Sequence, residues 1–401
     1  MSLRTVPPAR QSRVGRSAVS AAPSHWWARR GLLTELSHPS QAVAYLTPNW
    51  YASVMGTGIV AVAAAKLPIQ LPGLHLLGTL MWVLAAVLLV VLTAATVAHW
   101  VGHPVTARSH ATHPVMAHFY GAPPMAMMTV GAGTLLLGRD LLGLPLALDI
   151  DMALWTAGTL TGLVAAVVVP YLMVTRHTVS AVRAERAFGG WLMPVVPPMV
   201  SASTGALLAP HIAAGPARLA LVLACYAMFG LSLIASIVVI ALVCWRLVVH
   251  QVGDPVMVPT LWIVLGPLGQ SITAAGLLGG VAAQALPVAY APALRAFGLV
   301  YGLTAWGIAL VWAGIAGTIT VRTLRQGMPF GLTWWSFTFP VGTVVTGTSG
   351  LALATGSGVL RWVAVALFAA LVAAWAVVAV RTLRGSLVRG HLFLPPASVT
   401  R

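Results

Sequence analysis

The constraint that dominates this chain is the return, again and again, of apolar stretches of bilayer length. Leu80-Met81-Trp82-Val83-Leu84-Ala85-Ala86-Val87-Leu88-Leu89-Val90-Val91-Leu92 carries no charge, and a helix needs only about 20 mostly apolar residues to cross a hydrocarbon core of roughly 30 Å. Ten such segments are expected, at about 48–65, 73–97, 114–137, 150–174, 191–210, 217–249, 259–283, 293–321, 331–354 and 358–382. Charged residues make up 7% of the chain, against about 25% in soluble domains, which excludes a soluble globule. The expected fold class is all-α, a polytopic membrane protein of ten transmembrane helices.

The net charge of +16 raises the question of nucleic acid, and the placement of the charges answers it. With the N-terminus in the cytoplasm and ten spans, the inner side carries Arg4, Arg10, Arg13, Arg16, Arg29, Arg30, Arg108, Arg176, Arg183, Arg186, Arg246, Arg322, Arg325, Arg381, Arg384, Arg389 and Arg401. The outer side keeps Lys66, Arg139, Arg218, Arg295 and Arg361. This is the bias expected of positive loops held inside, so no nucleic-acid partner is needed; the lipid bilayer is the partner. The expected location is the plasma membrane, with both termini cytoplasmic. Residues 1–47 lack the apolar core of a secretory signal and read as a basic cytoplasmic tail, disordered or interfacial. The stretch His25-Trp26-Trp27-Ala28-Arg29-Arg30-Gly31-Leu32-Leu33 has the mixture that lies along a membrane surface. Residues 48–384 form the membrane domain and 385–401 a short cytoplasmic tail.

Prolines divide the ten segments into two kinds. Pro124, Pro198, Pro267 and Pro340 follow one another at steps of 74, 69 and 73 residues, which marks a repeated unit of two segments, a helical hairpin. A proline inside a membrane helix removes an i→i−4 hydrogen bond, tolerable only where protein or a watery cavity satisfies the freed carbonyl. Kinked helices at a fixed pitch are therefore expected to face inward, toward a central pore. The odd segments also carry small-residue clusters beyond the break, such as Ser201-Ala202-Ser203-Thr204-Gly205 and Thr346-Gly347-Thr348-Ser349-Gly350, which let backbones approach closely. The even segments are Leu/Val/Ala-rich and free of proline except Pro170, and read as outer, lipid-facing helices. The first odd segment has Pro48 at its entrance and only glycines within, so it fits the repeat by position rather than by a kink. Parallel repeats of this sort build transport paths.

The six acidic residues, Glu35, Asp140, Asp149, Asp151, Glu185 and Asp254, fall in tails, loops or at segment ends. A membrane-buried carboxylate, the usual sign of a proton relay, is therefore not expected. Backbone dipoles, hydroxyls and pore width remain as means of selecting anions. The pore-lining candidates are Gly56, Thr57, Pro124, Thr129, Pro198, Ser201, Thr204, Pro267, Ser271, Thr338, Pro340 and Thr343, each hydroxyl having as its alternative a bond to its own helix carbonyl. Phe339 stands immediately before the break at Pro340, where a bend would aim its ring at the axis as a hydrophobic gate; simple packing is the alternative. His99, His103, His110, His113 and His118 crowd the second inner loop. His99 and His103 have the i,i+4 spacing of zinc ligands without the Cys and carboxylate partners, so an interfacial, pH-sensitive loop is expected rather than a metal site. Cys225 and Cys244 fall on one helix about 28 Å apart and read as packing residues. No P-loop, nucleophile elbow or Cys-x-x-Cys occurs, so neither an enzyme nor a cofactor is expected.

Trp335-Ser336-Phe337-Thr338-Phe339-Pro340, Pro48-Asn49-Trp50-Tyr51 with Met55-Gly56-Thr57-Gly58-Ile59, His113-Pro114-Val115-Met116 with Phe119, and Trp191-Leu192-Met193-Pro194-Val195-Val196-Pro197 together resemble the tellurite-resistance/dicarboxylate transporter family. That family includes plant slow anion channels, fungal malate permeases and fungal sulfite efflux proteins. The resemblance covers roughly residues 48–384 and implies five hairpins around a central pore, a homotrimer with a pore in each subunit, and Phe339 as the residue that occludes the path. It implies an anion channel for small anions. The alternatives are a secondary transporter exporting sulfite or moving C4-dicarboxylates such as malate, and a structural or sensory membrane protein with a closed, dry centre.

Overall fold

The computed structural model describes residues 33–36, 38, 41–175 and 184–394. The arginines of 1–32, nearly all of the aromatic–basic stretch 25–33, Arg176, Arg183 and the end of the C-terminal tail lie outside the described residues. Within them every regular element is a helix. The principal helices are α1 Tyr51–Lys66, α2 Leu74–Gly102, α3 Ala122–Gly133, α4 Leu144–Thr175, α5 Pro197–Leu208, α6 Pro216–His250, α7 Leu265–Val281, α8 Ala291–Arg325, α9 Phe339–Thr355 and α10 Gly358–Leu383. All ten hydrophobic segments are thus helical, and among the described residues eight helical stretches are long and apolar enough to cross a membrane. The helices α1 and α5, of 16 and 12 residues, are not among the eight.

The prolines act differently from the expected mid-helix kink. Each odd helix is preceded by a 3₁₀ segment, Pro48–Trp50, Met116–Gly121, Gly189–Leu192, Pro255–Val264 and Leu332–Phe337 respectively. Pro124, Pro198, Pro267 and Pro340 then stand within the first three residues of the α-helices that follow. The first four N–H groups of an α-helix have no i−4 carbonyl within it, so a proline there forfeits no α-helical bond and pre-sets φ. The break is a change from 3₁₀ to α winding, not a bent α-helix. The first repeat shares it, displaced to its entrance, which the absence of a mid-span proline conceals.

The two kinds of segment occupy two layers. In the odd spans α3, α7 and α9, with their leaders, 67–78% of the apolar window is buried; in the even ones the share is 22–28%. Each odd helix packs on the even helix that follows it, and α1, α3, α5, α7 and α9 also contact one another in a ring that closes from α9 back to α1. Five hairpins therefore surround a common axis, with the odd helices parallel and inside. The ring is drawn tight by small residues. A Cβ on Gly269 of α7 would collide with backbone atoms of Thr343 and Val344 of α9.

Donors on the even helices hold the layers together, as a medium without water requires of buried polar groups. Trp82 Nε1 of α2 donates to Thr134 Oγ1 at 2.9 Å, Trp155 Nε1 of α4 to the Ser201 carbonyl at 3.0 Å, and Trp306 Nε1 of α8 to Thr348 Oγ1 at 3.0 Å. Trp375 Nε1 of α10 donates to Thr57 Oγ1 at 3.0 Å, tying the last hairpin to the first. The ends of the domain also meet. The N–H groups of Leu33, Thr34 and Glu35 donate to the carbonyls of Leu387, Val388 and Arg389 at 2.9, 3.1 and 2.8 Å, and Trp50 stacks on Phe393 with ring centroids 5.0 Å apart. Cys225 and Cys244 are both free on α6.

One acidic residue is not where the sequence put it. The helix containing Asp151 begins at Leu144, before its most apolar stretch, so Asp151 stands two turns inside α4 rather than at its end. It is fully buried against Gly131 of α3, and neither carboxylate oxygen has a hydrogen-bond partner among the described residues.

Candidate functional site

Two cavities lie on the axis of the ring. The larger, of about 600 Å³, is lined on the α-helical side by residues of all five odd helices at helical spacing: Ile59, Val62 and Lys66 from α1, Thr129 and Ala132 from α3, Val200, Ser203, Thr204 and Leu207 from α5, Gln270, Thr273, Leu277 and Gly280 from α7, and Thr346, Gly350 and Leu353 from α9. It extends sideways to Arg295 and Leu299 of α8. The smaller, of about 30 Å³, is lined on the 3₁₀ side by Ala52, Met55, Phe119, Met125, Met193, Val196, Ile263, Gly266, Leu332, Trp335, Ser336 and Pro340. Again all five repeats contribute. Space on that scale holds about one water, and its walls are almost wholly apolar.

Phe339 is the single residue common to the two linings. As the first residue of α9 it stands at the junction of windings, and it is 5% exposed. It therefore borders both the larger cavity and the smaller.

A polar belt surrounds the larger cavity above the ring. Thr129 donates to the Met125 carbonyl at 2.7 Å and Thr204 to the Val200 carbonyl at 2.8 Å. Thr273 and Thr346 share a 2.9 Å hydrogen bond between α7 and α9. Ser203 spends its proton on the Val200 carbonyl at 3.0 Å and accepts from the Gln270 amide, joining α5 to α7. Because an amide nitrogen carries two N–H donors, one remains for the cavity. No acidic residue lines either cavity, whereas Lys66 and Arg295 line the larger.

The sequence candidates divide by where their side chains go. Phe339, Thr129 and Thr204 line the larger cavity, and Pro340 the smaller. Thr57 donates to the Ser53 carbonyl and accepts from Trp375. Ser201 meets Thr159 of α4 at 3.0 Å, and Ser271 accepts from Tyr301 of α8 at 2.7 Å; these three are pegs between layers. Thr343 donates to the Pro340 carbonyl at 2.7 Å and approaches the Leu265 carbonyl of α7 at 3.2 Å. Gly56 lies against Thr338 and Trp335, and Thr338 donates to the Trp335 carbonyl. Pro124 packs on Gly162 of α4, and Pro198 and Pro267 are buried at their junctions.

Gln270, Ser203 and Thr346 belong to the lining but were not singled out from the sequence. A signal for the last was present: Thr204, Thr273 and Thr346 each stand six residues after Pro198, Pro267 and Pro340, the same register in three repeats. The histidines keep apart from both cavities. His99 stacks on His110 with centroids 5.4 Å apart and lies 6.3 Å from His103. Burial, then the neighbouring His99 and His113, lowers the His110 pKa from the usual imidazole range.

Comparison with known proteins places this arrangement. Two fungal proteins named sulfite efflux pump SSU1, from Trichophyton rubrum and Arthroderma otae, are each 27% identical over 314 residues, covering 77% of this chain and 82% of theirs. An uncharacterized transporter of Methanocaldococcus jannaschii, MJ0762, is 25% identical over 346 residues, 86% of this chain and 96% of its own. The SLAC1 family, described as voltage-dependent anion channel, matches residues 45–383. With the match running from before α1 to the end of α10, this chain is a polytopic all-α membrane protein of the SLAC1 family of anion channels and transporters.

Proposed function

We propose that the chain is a channel for small anions, with the two cavities as its path and Phe339 as its gate. The observation that carries this reading is that Phe339 is shared by the linings of two axial cavities, the larger walled by cations and hydroxyls, the smaller almost wholly apolar, and neither bearing a carboxylate. An apolar constriction blocks ions by dewetting, and a 30 Å³ chamber of methionine, aromatic and aliphatic side chains gives an ion nothing in exchange for its hydration shell. In this reading all ten helices span the plasma membrane as one transport unit over 48–384, the termini are cytoplasmic, and the larger cavity opens outward. The inside excess of arginine supports that orientation. The resemblance to trimeric family members supports a homotrimer with one path per subunit.

The relatives named sulfite efflux pumps favour a second reading, a secondary transporter exporting sulfite or a C4-dicarboxylate. Proteoliposomes holding the purified protein separate the two. A channel passes nitrate, chloride and sulfite down their gradients whether or not a pH gradient is imposed. Flux that accepts sulfite alone and follows an imposed pH gradient would establish the transporter instead.

A further inference from the structure

The odd helices run parallel, and α1, α5, α7 and α9 reach their last turns at one end of the larger cavity, where Lys66, Leu207, Gly280 and Leu353 stand, whereas α3 continues in helical winding to Leu142. Each helix C-terminus carries about half a negative charge, so that mouth, left to the backbone, repels anions. Lys66 is the only charged residue that an odd helix places in the lining. It is half-buried at the end of α1. The ion pairs among the described residues are His75–Asp140 and Arg139–Asp140, and Lys66 takes part in none. The charge that bears on it is a second cation, Arg139. An ammonium partly withdrawn from water and without a counter-ion is uncommon, because lysine is seldom buried unless paired.

We propose that Lys66 is an anion-binding residue at this mouth: its ammonium holds a small inorganic anion of charge −1 or −2, cancels the repulsion of the helix ends and raises the anion concentration above the polar belt. Arg295, on the side wall of the same cavity, adds to the field at longer range. The proposal rests on the anion-conduit reading and gives it an asymmetry: the larger cavity has a cation in its lining at the mouth, and the lining of the smaller one has none.

The test is concentration-dependent flux of nitrate and of sulfite in proteoliposomes of the full-length protein, with the anion varied on one face at a time. Lys66→Gln raises the half-saturating concentration at the Lys66 face about five- to tenfold, changes it at the opposite face less than about twofold, and leaves the maximal rate near that of the unaltered protein. Lys66→Arg restores the original value, and Lys66→Glu shifts it further than Lys66→Gln. A monodisperse profile in size-exclusion chromatography establishes that each variant is folded. An equal shift at both faces, no shift, or failure of the arginine variant to restore affinity overturns the Lys66 assignment alone. Absence of flux in the unaltered protein overturns the conduit reading and this assignment with it.

Discussion

Phe339→Ala raises nitrate flux through the reconstituted protein by about tenfold or more. Phe339 is common to the linings of a 600 Å³ cavity and a 30 Å³ one, so truncation to a methyl is expected to join them into one continuous space. Removing a buried phenylalanine from a closed core costs about 3–5 kcal/mol. Phe339 has empty volume on two sides, so fewer contacts are lost and the fold survives the change. Phe339→Leu, with a smaller obstruction of the same polarity, falls between the two. Unchanged flux in a folded Phe339→Ala protein would show that the occlusion lies elsewhere, with the apolar collar of Met55, Phe119, Met125 and Met193 as the next place to look.

The second large effect is on assembly of the ring and comes from two glycines two turns apart on α7. A side chain at Gly269 runs into the backbone of α9 at Thr343 and Val344, whereas one at Gly276 meets nothing within 4 Å and points into the larger cavity. Gly269→Val therefore forces α7 and α9 apart, breaking the Thr343 contact with the Leu265 carbonyl and the Thr273–Thr346 bond. The expected cost is about 3 kcal/mol or more, read as loss of monodisperse protein after mild heating. Gly276→Val leaves stability near that of the unaltered protein and lowers flux by narrowing the cavity. Opposite results at the two positions would place the axis on the other side of α7.

Much of this architecture is legible in the sequence, because in a bilayer the hydrophobic pattern and the proline register admit few arrangements. Helix number, hairpin pairing and the assignment of odd segments to the inside follow from apolar length, Pro124–Pro340 spacing and small-residue clusters. The local form of the break does not. Proline is compatible with a bent α-helix and with the first turn of a new one, and only the 3₁₀ leaders reveal the second. The direction of a hydroxyl is also hidden. Thr57 and Thr129 look alike in sequence, yet the Trp375 indole draws one toward α10 while the other faces the cavity. Gln270 is not marked by the sequence, because an amide in an apolar segment gains its meaning only when Ser203 is brought beside it from another repeat. The burial of Asp151 is hidden because a hydropathy pattern blurs the start of a helix by two turns.

Passage of anions along the axis of the five odd helices, as proposed, is open to a cysteine-accessibility measurement. In a protein whose Cys225 and Cys244 have been changed to alanine, single cysteines are placed at Thr129, Thr204, Thr273 and Thr346, which line the larger cavity, and at Thr57, Ser201, Ser271 and Thr343, whose side chains bond to neighbouring helices. A charged methanethiosulfonate reagent is applied while anion flux is recorded. Modification stops most of the flux at the first four positions and leaves it intact at the second four if the axis is the path; block at Thr57, Ser201, Ser271 and Thr343 with none at the cavity positions would show that it is not.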